Sequence, residues 1–80
     1  MEHTIMSPLP GTFYRRPNPA ADPYVSEGDK VESGDVVGLV EIMKSFHEIH
    51  SDAAGRVARF LVGNTDLVDA GQGIIVLESA

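Results

Sequence analysis

Short apolar runs recur along the chain with polar, glycine-bearing segments between them, and none combines the length and the helical spacing of an amphipathic helix. The pattern predicts eight strands, over residues 4–6, 11–13, 30–31, 36–42, 45–50, 55–60, 67–68 and 73–78. Turn signals divide them: Glu27-Gly28-Asp29, Glu32-Ser33-Gly34-Asp35, Ser51-Asp52-Ala53-Ala54-Gly55 and Asp69-Ala70-Gly71-Gln72-Gly73. Glycine tolerates positive φ, and Asp and Ser bond their own backbone, so such clusters reverse a chain cheaply. The predicted class is all-β, a sandwich or flattened barrel of two antiparallel sheets. Met6, Phe13, Val40, Ile49, Val57, Phe60, Ile75 and Leu77 are its candidate core.

One stretch fits no strand. Arg15-Arg16-Pro17-Asn18-Pro19-Ala20-Ala21-Asp22-Pro23 holds three of the five prolines, each of which removes a backbone donor and fixes φ. An ordered protruding loop is expected there. An internal repeat follows it: residues 25–41 overlie residues 62–78 at an offset of 37, with Val25/Val62, Asp29/Asp66, Val31/Val68, Gly34/Gly71 and Glu41/Glu78 identical. Two copies are too few for a solenoid, so the repeat predicts two similar halves closing one core about a pseudo-twofold axis.

Composition narrows the function classes. At 80 residues the chain is a single domain, 1–80, with one modest core and no room for a deep catalytic cleft. A formal charge of −6 argues against nucleic acid and against an anionic membrane surface, both of which call for clustered Lys and Arg. With no cysteine there is no disulfide framework, no thiolate metal site and no cysteine nucleophile. The apolar runs are strand-length, well below the roughly 20 residues that span a bilayer. Met1-Glu2-His3-Thr4-Ile5-Met6 lacks a basic segment and an apolar segment, so a cytoplasmic protein is expected. His47 and His50 fall on opposite faces of a predicted strand, and no metal site is expected.

The chemistry centres on a hairpin over residues 41–46, Glu41-Ile42-Met43-Lys44-Ser45-Phe46. No Asn-Gly or Asp-Gly marks its turn, so local turn preference has been given up to keep a lysine at the apex. A lysine there points away from the body, which suits a group that is covalently modified and carried between distant sites.

This segment resembles the attachment site of the biotin carboxyl carrier proteins, in the biotinyl/lipoyl attachment superfamily. That family carries biotin on the lysine of a Glu-Ala-Met-Lys-Met motif, and Glu41, Met43 and Lys44 match it. Ser7-Pro8-Leu9-Pro10-Gly11-Thr12-Phe13-Tyr14-Arg15 is similar to the family's Ser-Pro-Met-x-Gly-Thr-Phe-Tyr-Arg segment, and the likeness runs from Ile5 to Glu78. Ile42 stands where the family has Ala, and Ser45 where it has Met. Lipoyl domains present Asp-Lys, so Met43-Lys44 disfavours lipoate.

The resemblance implies a barrel-sandwich hybrid fold with a thumb at residues 16–23: Arg16, Pro17, Asn18, Pro19, Ala20, Ala21, Asp22 and Pro23. It implies covalent biotin on Lys44, with Glu41, Ile42, Met43 and Ser45 forming the hairpin that biotin protein ligase reads. The thumb would lie over the biotin ring when the arm folds back, and Arg16 stands where the family commonly has Thr. The implied function is a non-catalytic carrier subunit of acetyl-CoA carboxylase, moving a carboxyl group from biotin carboxylase to a carboxyltransferase to give malonyl-CoA for fatty acid synthesis. Two alternatives stay open: a carrier for another acyl-CoA or 2-oxo acid, and an unmodified interaction module in which Ile42 and Ser45 reflect lost ligase recognition.

Overall fold

A computed structural model describes residues 1–79 and contains every strand the pattern predicts. The strands are β1 (Glu2–Met6), β2 (Gly11–Tyr14), β3 (Lys30–Val31), β4 (Val36–Ile42), β5 (Ser45–His50), β6 (Gly55–Phe60), β7 (Leu67–Val68) and β8 (Gly73–Glu78). They form two four-stranded antiparallel sheets, ordered β1-β8-β6-β3 and β5-β4-β2-β7. The core lies between them, drawing Phe13, Val37, Val40, Ile49 and Val68 from one sheet and Ile5, Val31, Val57, Ile74, Ile75 and Leu77 from the other.

The two orders superpose strand for strand, β1 on β5, β8 on β4, β6 on β2 and β3 on β7, which is the expected pseudo-twofold. Hydrogen bonds repeat with it. The Ser26 N–H donates to Asp29 Oδ2 at 2.9 Å, and its mate Gly63 donates to Asp66 Oδ2 at 2.7 Å. The Glu32 N–H donates to Asp35 at 2.9 Å, and Asp69 to Gln72 at 2.9 Å, so an amide replaces a carboxylate as the turn acceptor. A second correspondence appears at an offset of 44: Ser7 with Ser51, Gly11 with Gly55, Phe13 with Val57. Both serines are buried and donate their hydroxyls two residues on, to the carbonyls of Leu9 and Ala53. The two offsets differ by seven residues, so the segment from Gly11 to Val25 is seven residues longer than its mate from Gly55 to Val62. The proline-rich loop is an insertion into one half of a symmetric frame.

Two core candidates need correction. Met6 is 57% exposed, because Ile5 and Ser7 take the inward positions and the period-2 pleat turns Met6 out where β1 shifts register against β8. Phe60 packs beside the core and is only half-buried, its ring covered by the Arg15 guanidinium 3.8 Å above the centroid. β1 also begins two residues before its apolar run, since Glu2 and His3 pair with Glu78 and Leu77 whatever their polarity.

Gly11 and Gly55 show where the symmetric frame demands glycine. A Cβ on Gly11 would press into the carbonyl oxygen of Glu41 and lie 2.9 Å from Val40, and one on Gly55 would meet the Glu78 carbonyl at 2.9 Å. Gly11→Ala therefore has to push β2 off β4, and a loss of about 1–3 kcal/mol is expected in urea denaturation. An unchanged midpoint would contradict the close approach of these strands.

Candidate functional site

The hairpin is built by pairing alone. Leu39 pairs Glu48, Glu41 pairs Phe46 and Ile42 pairs Ser45, which leaves Met43 and Lys44 as a two-residue loop. Both occupy the left-handed region, with φ of 48° and 69°. Two consecutive positive φ values are what a type I′ hairpin turn requires, and its twist matches that of the flanking strands. For residues with a Cβ this conformation costs about 1–2 kcal/mol each. The β-branched and aromatic strands on either side hold the turn against that cost. Met43→Asn puts a residue that tolerates the left-handed region at the first position, and is expected to stabilise the fold by roughly 0.5–1 kcal/mol. A lowered denaturation midpoint would show that the turn is not strained.

The apex is open to solvent. Lys44 is exposed and Met43 is 94% exposed, although it is apolar. Ile42 and Glu41 are half-buried, while Ser45 and Phe46 are exposed. Glu41 is tied down: Tyr14 Oη donates to its Oε1 at 3.0 Å. That hydrogen bond, with lesser help from burial and the carboxylate charge, raises the Tyr14 pKa and keeps the phenol a donor. The Phe46 ring on β5 lies 6.1 Å from the Tyr14 ring on β2 at 50°, a tilted aromatic pair reaching across β4. Glu41 thus anchors the hairpin to β2, and Lys44 stands free above it.

Residues 16–23 form a strand-free loop. Its base is closed by the Tyr24 N–H donating to the Arg15 carbonyl at 2.9 Å. Its tip is turned by Asn18, whose side chain accepts from the Ala20 N–H at 3.0 Å and whose carbonyl accepts from Ala21 at 3.1 Å. Beneath it lies a cavity of about 390 Å³ walled by Arg16, Pro17, Asn18 and Pro19 on the thumb side and Tyr14 and Phe46 on the sheet side. Asn64 and Thr65 close it from the turn before β7. The loop and the hairpin strand β5 therefore share one cavity, whose wall residue Phe46 lies two positions after Lys44 in the chain.

Sequence reasoning placed Phe46 in the hairpin but not in a cavity wall, and did not single out Tyr14, Asn64 or Thr65 for the site. For Thr65 a signal existed. It overlies Gly28 in the repeat, and both have positive φ, 73° and 92°. A β-branched residue holding a position that its mate gives to glycine marks strain at the cavity wall. Asn64 accepts the Arg15 N–H at 2.8 Å through its side-chain oxygen, and its side chain is otherwise exposed. Among the described residues no cluster of His and carboxylates could hold a metal, and His50 Nδ1 instead faces the Gly34 carbonyl at 2.9 Å. No helix among them is long and apolar enough to cross a membrane.

Comparison with known proteins agrees with this geometry. A family model described as "Biotin-requiring enzyme" matches residues 3–77. The biotin carboxyl carrier protein of acetyl-CoA carboxylase from Haemophilus influenzae is 40% identical over 76 residues, covering 95% of this chain and 49% of its own length. The protein of the same description from Pyropia yezoensis is 38% identical over 76 residues, covering 95% of this chain and 48% of its own. This chain spans about half the length of these curated relatives. Among solved structures, the urea carboxylase of Kluyveromyces lactis superposes with a TM-score of 0.80 at 29% identity over 98% of this chain and 6% of that one.

Proposed function

The chain belongs to the biotinyl/lipoyl attachment family, and we propose that it is a biotin carboxyl carrier whose acceptor is Lys44. The observation that carries this reading is the pairing of Ile42 with Ser45, which sets Lys44 at an exposed left-handed apex. When bound, biotin supplies a ring nitrogen that can take up and give back a carboxyl group. The chain's own residues do the rest. Lysine is protonated near neutral pH, so the ligase must remove a proton before the amine can attack an activated acyl group; the resulting amide is uncharged. Ile42, Met43 and Ser45 present the apex to biotin protein ligase, and Glu41 holds it through Tyr14. The thumb and Phe46 offer the arm a sheltered place between visits.

Carriage is a matter of effective concentration. A group tethered to a small acidic body meets each of two active sites as an intramolecular partner. We assign those sites to a biotin carboxylase and to a carboxyltransferase acting on acetyl-CoA, in the cytoplasm, with the carrier itself non-catalytic. The relatives named for acetyl-CoA carboxylase support that acceptor over propionyl-CoA or pyruvate. Co-expression with a biotin protein ligase is expected to add the mass of one biotinyl group per chain. An unchanged intact mass would refute the carrier reading and leave an unmodified interaction module.

A further inference from the structure

The cavity under the thumb contains a cation that nothing neutralises. Arg16 is one of its walls, and the three ion pairs among the described residues, His3 with Asp52, His50 with Glu48 and Arg59 with Glu2, do not include it. Of the five N–H donors of its guanidinium, one reaches an acceptor, the Ala21 carbonyl at a long 3.4 Å. Its Nε is buried without a partner, as is the Nε of Arg15 outside the cavity lining. A buried donor left unmade is costly, and a charged one more so. A neutral biotinyl ring would meet this group with a ureido carbonyl acceptor, whereas a carboxylated ring would meet it with a negative charge as well.

We propose that this cavity takes the carboxyl-bearing, anionic form of the arm in preference to the neutral biotinyl form, with the Arg16 guanidinium as the carboxylate's partner. The inference rests on the reading of Lys44 as the biotin acceptor. The charge balance favours it: on a chain of formal charge −6, an anion needs a local cation to enter a sheltered cavity, and Arg16 is that cation. A guanidinium can meet a carboxylate through two parallel N–H donors, and such charge-assisted bonds are about twice as strong as neutral ones. Asn64, exposed on the opposite wall, adds a second polar side chain to the lining. The thumb is then a reader of loading state: it shelters the loaded arm and releases the unloaded one.

The test uses isotope-labelled holo-protein, biotinylated on Lys44, before and after carboxylation by a biotin carboxylase with ATP and carbon-13 bicarbonate. The readouts are the NMR resonances of the Arg16 Nε–H and the Asn64 side-chain amide. Carboxylation is expected to shift both, with an equilibrium constant for the folded-back arm roughly tenfold above that of the biotinylated form. Arg16→Gln is expected to erase the difference, read at Asn64, and Arg16→Lys to keep part of it. Equal shifts in the two forms, or a difference that survives Arg16→Gln, overturn the proposal while leaving the carrier reading intact. Absence of biotin on Lys44 overturns both.

Discussion

Lys44→Arg is expected to abolish biotinylation completely, with intact mass falling to that of the unmodified chain. The substitution keeps the charge and nearly the length of the side chain but replaces an amine that can be deprotonated with a guanidinium that stays protonated and is a poor nucleophile. The sequence provides its own control, since Lys30 is the only other lysine. Lys30 is also exposed, but it lies in a two-residue strand paired with Arg56, its backbone committed to a ladder. Exposure and amine chemistry are therefore shared by the two lysines, and the left-handed apex with its flanking hairpin residues separates them. Lys30→Arg is expected to leave the biotinylated mass unaltered apart from the substitution itself. A biotinyl group that persists in Lys44→Arg would move the attachment to Lys30 and overturn the geometric argument.

The contrast between these lysines explains what could be seen in the sequence. β-Strands announce themselves through apolar runs and glycine turns, so β3 to β8 begin and end where the pattern puts them. The start of β1 was invisible because an edge strand pairs through its backbone, and Glu2 and His3 carry no apolar signal. Lys44 was legible through an absence, a hairpin without Asn-Gly. The cavity was not legible, because its walls come from three places far apart in sequence: Tyr14 with residues 16–19, Phe46 after the apex, and the Asn64-Thr65 turn. Only folding brings them together. Met6 was misassigned for a related reason, since in a strand next to a register shift either neighbour of an apolar pair can turn inward.

The same frame decides how much the fold depends on one ring. Phe13→Ala is expected to cost about 3–5 kcal/mol, a large part of the roughly 4–12 kcal/mol available to a domain of this size. Phe13 is fully buried and faces Gly38, where an added Cβ would sit 2.6 Å from the ring. Its backbone also bridges the loop below, donating to the Asp66 carbonyl at 2.8 Å and accepting from the Thr65 N–H at 2.7 Å. The pseudo-twofold places Val57 and Ile75 at the corresponding positions, so one half uses a large residue with none opposite and the other two of middle size. Removing the ring leaves a cavity over Gly38 that the rigid glycine backbone cannot fill. The melting temperature should fall by at least about 15 °C, and biotinylation should fail with the fold instead of with the acceptor. Gly38→Val clashes in the parent but occupies vacated space in Phe13→Ala, so the double variant should recover part of the loss. Additive destabilisation of the two changes would show that Phe13 does not fill the space over Gly38.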